Sequence, residues 1–181
     1  SEVEKLLRDL ERLLEEIVKE AEDLDRENKE RLKEIARKAR ELNEENKDLL
    51  RRVKELVDRN VDKDTLRDEV RKAVEDTKRR VDDLLRDVKR VADETKKKVD
   101  ELLERVERVL RRVKEEVRRI DDERLVREVE RVIREVRKRV EEVVRKVEES
   151  IKESEERVKE LVKRVTDSLE RSKKEVEDAI R

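Results

Sequence analysis

Apolar residues recur every three or four positions along almost the whole chain. The first run goes from Val3 through Leu6, Leu10, Leu13, Ile17, Ala21 and Leu24, then through Leu32, Ile35, Ala39 and Leu42 to Val57. At about 100° per residue these positions fall in one sector roughly 140° wide, the mark of an amphipathic helix with a single buried face. The pattern breaks at Asp58-Arg59-Asn60-Val61-Asp62-Lys63-Asp64, resumes from Leu66 to Ile120, breaks again at Asp121-Asp122-Glu123 and resumes from Leu125 to Ile180. The pattern predicts helices over about 2–58, 65–120 and 123–180, each roughly 80 Å long at 1.5 Å per residue. Connections this short force neighbouring helices to run antiparallel. Three helices with one stripe each share one axis, so the expected fold is all-α: residues 1–181 as one up-down-up antiparallel three-helix bundle.

The breaks carry their own chemistry. Ser1 with Glu4 has the spacing of a capping box. Asn60 is the residue best suited to a left-handed helix terminus in a chain with no glycine. Asp62 or Asp64 can cap the second helix, and Asp121-Asp122 can cap the third.

The sequence also repeats at 18 residues. Val70–Asp87 reads VRKAVEDTKRRVDDLLRD, and Val88–Arg105 reads VKRVADETKKKVDELLER. Eighteen residues are five turns at about 3.6 residues per turn, which keeps the apolar stripe parallel to the helix axis. A strict heptad would impose a left-handed supercoil. Nearly straight helices are therefore expected.

Polar residues interrupt the stripes at equivalent repeat positions. The series are Leu10, Asn28, Asn46 in the first helix and Val113, Thr95, Thr77 in the second. The third helix has two: Val132, Ser150, Ser168 and Val136, Ser154, Ser172. Antiparallel partners at one height have position numbers with a constant total. Asn46 with Thr77, Asn28 with Thr95, and Leu10 with Val113 all total 123. Thr77 with Ser168 and Thr95 with Ser150 total 245, and the other serines give 249. The expected core thus holds two polar levels, Asn46/Thr77/Ser168/Ser172 and Asn28/Thr95/Ser150/Ser154, and one apolar level, Leu10/Val113/Val132/Val136. The alternative is that these are surface residues placed inward by chance, which the matching totals argue against. Asp25 and Asn43 lie at a stripe edge, where a solvated position serves equally well. Asn, Thr and Ser can each donate and accept, so such a set can satisfy itself in a dry core.

Charge supports the helix order. Residues 1–58 carry 15 basic and 19 acidic side chains, and residues 65–120 carry 19 and 15, so adjacent helices are complementary. The whole chain has 54 basic and 55 acidic residues, net −1, which gives no global attraction to nucleic acid or an anionic membrane. It has no His, Cys, Met, Gly, Pro or aromatic residue. The usual zinc and copper ligands are missing, there is no thiol chemistry, no imidazole to activate a Ser or Thr, and no phosphate-cradling glycine loop. The abundant carboxylates interleave with Lys and Arg on outer faces, where i,i+4 pairing explains them. Arg137-Lys138-Arg139 is a short basic cluster with acidic neighbours and no aromatics to stack on bases. No membrane-length apolar run and no targeting signal are read. The expectation is no catalytic residue, no metal, no cofactor, and no small-molecule, nucleic-acid or membrane partner. A lipid-surface role lacks the interfacial aromatics that such helices carry.

The 18-residue repeat, the Asn/Thr/Ser levels, the Lys/Arg/Glu/Asp surface and the acid-capped short loops resemble de novo designed helical bundles with modular buried hydrogen-bond networks. The resemblance covers the whole chain and implies a hyperstable scaffold, an oligomer building block or a caged switch; with the polar levels setting register, the leading expectation is a monomeric structural scaffold with no natural ligand. Its alternative is an interaction module: a switch or cage framework, or a component of a helical assembly that self-associates or takes a designed helical partner. Designed bundles of this style usually have glycine in their loops, and this chain departs from that. Spectrin-type repeats are the nearest natural look-alike, but they have shorter helices and a core Trp.

Overall fold

The structure, a computed structural model, describes residues 1–181. It is 94% helical, with three helices in an antiparallel three-helix bundle: α1 Glu2–Asp58, α2 Lys63–Val117 and α3 Glu123–Ile180. The second helix stops three residues short of the expected 120 and begins two before 65. At its end the amides of Arg119 and Ile120 turn to the carbonyls of Glu116 and Val117, at 3.2 and 3.0 Å. These i→i+3 bonds tighten the last turn out of α geometry and leave Ile120 in the connection.

Four of the six helix ends satisfy free backbone groups by a device written in the sequence. Ser1 Oγ accepts from the Glu4 amide at 3.3 Å, while the terminal amine faces the Glu4 carboxylate at 3.6 Å. At the end of α1, Asn60 takes φ 59°. Its amide reaches the Val57 carbonyl at 3.1 Å, and the Val61 amide reaches Leu56 at 3.2 Å. That pair of bonds is a Schellman motif, and Asn is the non-glycine residue that tolerates the left-handed position it needs. Val61 and Leu56 both pack on the adjacent core cluster, the apolar contact that accompanies this motif. Asp62 then caps α2, accepting from the Asp64 amide at 3.4 Å and the Thr65 hydroxyl at 3.1 Å. Asp122 caps α3 through the Arg124 amide at 3.0 Å.

Every helix contributes a segment to each of two compact units. The first comprises Ser1–Lys29 and Ala92–Lys152, the second Glu30–Val91 and Glu153–Arg181. The first unit is built on a single cluster of nineteen buried aliphatic residues, among them Leu10, Ile17, Leu110 and Val129. The second contains a cluster of seven: Val53, Leu66, Val70, Val74, Leu169, Val176 and Ile180. It also buries Leu32, Leu42, Val81, Val88, Val158 and Val165. Aliphatic burial at about 1.5–3 kcal/mol per large side chain is the main force holding helices whose outer faces are almost wholly charged.

Candidate functional site

Only four polar side chains in the chain are fully buried: Asn28, Asn46, Thr77 and Thr95, each at 3 or 4% exposure. They form two pairs. In the first unit the Thr95 hydroxyl donates to Asn28 Oδ1 at 3.1 Å. In the second the Thr77 hydroxyl donates to Asn46 Oδ1 at 3.0 Å. Both bonds join α1 to α2, and both total 123 in position number. The 18-residue repeat places each Asn and each Thr at the centre of its stripe, and the antiparallel turn at Asn60 brings them to one height.

The amide nitrogens behave differently from the carbonyls. Nδ2 of Asn28 and Nδ2 of Asn46 are buried and have no hydrogen-bond partner among the protein's atoms. An unpaired buried donor costs about 1–3 kcal/mol. The four serines lie on α3 and are all half-buried. Ser150 belongs to the first unit, and Ser154, Ser168 and Ser172 to the second. Within the first unit Ser150 makes no hydrogen bond to the Asn28–Thr95 pair, and within the second Ser168 and Ser172 make none to Asn46–Thr77. Asp25, at the stripe edge, ion-pairs with Lys29 at 3.0 Å. Asn43 is half-buried, with its Oδ1 enclosed and unpartnered. Of the apolar level, Leu10, Val113 and Val136 are buried and Val132 is partly buried against the same cluster.

Ion pairs flank the two buried pairs, and the sequence reading did not single them out. Lys98 faces Glu27 at 3.8 Å in the first unit, and Arg80 binds Glu45 through both guanidinium nitrogens in the second, the longer contact at 3.3 Å. They occupy equivalent repeat positions, and each totals 125, two more than the pair it accompanies. The same register arithmetic applied to charged positions would have found them. Hydrogen bonding from Arg80 holds the Glu45 carboxyl below the usual carboxylate range, and Glu45 in turn raises the Arg80 guanidinium.

Chemically, the buried pairs offer carbonyl and hydroxyl oxygens and amide donors, with no titratable group among them. No three acidic side chains are grouped so as to hold a metal ion, and no helix is long and apolar enough to cross a membrane.

The geometry defines an all-α bundle whose three helices meet around an aliphatic core containing two hydrogen-bonded Asn–Thr pairs. No protein-family model and no curated protein matches the chain. Among solved structures it is similar to a chain described as a computationally designed three helix bundle, with TM-score 0.53 and 20% identity over 99% of this chain and 86% of that one. At that identity the likeness establishes the fold.

Proposed function

We propose that this chain is a designed structural scaffold with no natural biochemical activity. In this reading the Asn and Thr side chains, with Ser150, Ser154, Ser168 and Ser172 beside them on α3, fix register. Three observations support it: the strict 18-residue repeat, the glycine- and aromatic-free composition, and likeness to a bundle described as designed. The observation that carries the register role is the repeated Asn–Thr bond, made twice between the same helices with the same position total. Where two aliphatic stripes still overlap after a slip of one whole repeat, an aliphatic repeat alone would match as well as before. Sliding α1 along α2 by 18 residues opposes Asn28 to Val113 and strips Thr77 of Asn46. Each buried polar group so orphaned costs about 1–3 kcal/mol, so the slipped arrangement, which already gives up about a third of the α1–α2 overlap, is penalised further.

The test is to replace one level with aliphatics: Asn28→Leu, Thr95→Val, Ser150→Val and Ser154→Val together. Thermal stability followed by circular dichroism should rise, and light scattering should show species larger than the parent's. Lower stability with an unchanged mass sinks the register role.

A second reading, an interaction module that exchanges its third helix, is favoured by one observation. Both Asn–Thr hydrogen bonds lie between α1 and α2, so these buried pairs hold α1 to α2 and not α3. A fluorescent peptide of residues 121–181, incubated with the full chain, should be incorporated under this reading and excluded under the first.

A further inference from the structure

Within the first unit, α2 and α3 border a groove of about 600 Å³ next to their connection. Its apolar lining is Val117, Ile120, Val126 and Ile133. Val117 and Ile133 belong to the core, and Ile120 and Val126 are partly exposed. Around this floor stand Lys114, Arg118, Arg134 and Arg137, against one carboxylate, Glu130. Only Arg137 of the four cations has an ion-pair partner, Glu107 at 3.3 Å. Its Nε is nevertheless buried without a hydrogen-bond acceptor.

The second unit has a groove between the same two helices, of about 510 Å³, which provides a contrast. It too has an aliphatic floor, but three of its five cations are committed, Arg67 to Asp64, Arg71 to Asp68 and Lys78 to Glu170, and the other two, Lys173 and Arg181, share the lining with two carboxylates, Glu75 and Glu177. In a chain whose charges balance almost to zero, the first groove concentrates uncompensated positive charge over apolar surface.

We propose that this first groove binds a single-chain amphiphile with an anionic head, a fatty-acid carboxylate in the simplest case. Its volume lies in the roughly 300–1,000 Å³ range of small-molecule sites. The tail lies over the partly exposed Ile120 and Val126, with Val117 and Ile133 beneath them. The carboxylate accepts from the guanidinium groups, for which a planar two-oxygen anion is the matching partner. Such binding departs from the expectation of no small-molecule partner, because periodicity describes the stripe that faces the core and is silent on the groove beside it. It does not depend on the scaffold reading.

Calorimetric titration of the full chain with sodium dodecanoate, kept below its micelle concentration, tests it. One molecule should bind per chain, and decanoate should bind about tenfold more weakly, following the loss of two methylenes. Arg118→Glu with Arg134→Glu should weaken dodecanoate at least tenfold while leaving the helical circular dichroism unchanged, since both side chains are exposed. Arg71→Glu in the other groove should leave affinity as it was. No binding heat, equal affinity in the double variant, loss of affinity in Arg71→Glu, or equally tight binding of uncharged dodecyl maltoside overturns the proposal.

Discussion

The two compact units are built from the same repeat and each contains one Asn–Thr pair, yet the pair sits differently in each. In the first unit, buried aliphatics run without interruption from Val3 to Leu24, Val99 to Val117 and Val129 to Val147, and the pair Asn28–Thr95 lies just beyond this cluster. In the second, the pair Asn46–Thr77 lies within the run of buried aliphatics. Leu32 to Leu42 and Val81 to Val91 precede it on one side, and the seven-residue cluster around Val53 and Leu66 follows on the other. A polar pair at the edge of a core leaves it whole, whereas one in the middle divides it. Since each apolar side chain is stabilised by the neighbours it touches, the divided unit should unfold in smaller steps.

The largest effect that can break this comparison comes from cavities. Leu10 and Leu66 are both essentially inaccessible, at 0 and 1% exposure. Leu10 lies in the nineteen-residue cluster and Leu66 in the seven-residue one. Leu10→Ala should cost about 3–5 kcal/mol and Leu66→Ala nearer 2–3, because a small cluster beside a chain turn collapses more readily around the gap. Guanidinium denaturation followed at 222 nm measures both. A cost for Leu66→Ala equal to that for Leu10→Ala means that the Asn46–Thr77 pair does not divide the core.

A smaller effect isolates the pair itself. Thr77→Val removes the donor to Asn46 Oδ1 and adds an unmet acceptor to an Asn whose Nδ2 already lacks a partner. The expected loss is about 1–3 kcal/mol. Adding Asn46→Leu removes both unmet groups and rejoins the aliphatic segments, so the double variant should recover at least to the parent's stability. The denaturant midpoints of the three proteins decide it. A double variant weaker than Thr77→Val alone would show that the pair stabilises the second unit rather than only specifying it.

The legible part of this molecule is whatever follows from period. Helix number, their antiparallel order, the cap at Ser1, the left-handed Asn60 and the pairing of Asn with Thr all follow from spacing and turn chemistry in the sequence, whereas the choice of Asp62 over Asp64 and of Asp122 over Asp121 came only with the structure. The end of α2 at Val117 was not legible, because Ile120 continues the apolar spacing even though the last turn has tightened. Nor was the state of the asparagine amides. Stripe position says that a side chain faces inward, but whether a serine hydroxyl reaches it depends on rotamer and on distances of an ångström, which period does not encode. The α3 serines illustrate this. Their stripe positions match those of Val132 and Val136, of which Val136 is buried, while every one of the serines is half-exposed.

The smallest difference between the units lies in the ion pairs beside the two buried bonds. The second unit uses Arg80, whose guanidinium can hold both Glu45 oxygens, and the first uses Lys98, a single ammonium 3.8 Å from Glu27. Glu45 is held below its ordinary value of 4.5, chiefly by the Arg80 hydrogen bond. A carboxylate depressed in the folded state contributes stability that is fully present above its unfolded pKa and is lost as pH falls through the folded one. Arg80 stays charged throughout, so the loss belongs to Glu45. With side-chain exposures of 43% for Arg80 and 56% for Glu45, the contribution is about 0.2–1 kcal/mol after solvent screening. Glu45→Gln should therefore destabilise at pH 7, and the difference from the parent should vanish under acid conditions in which Glu45 is protonated. Arg80→Lys should reproduce part of that loss at neutral pH, since an ammonium lacks the planar fork that meets both oxygens in parallel. Glu27→Gln is the counterpart in the first unit and should produce a smaller change. Equal pH-dependent losses for the two glutamate variants would mean that the guanidinium fork adds nothing, and that the units differ only in where their polar pairs interrupt the core.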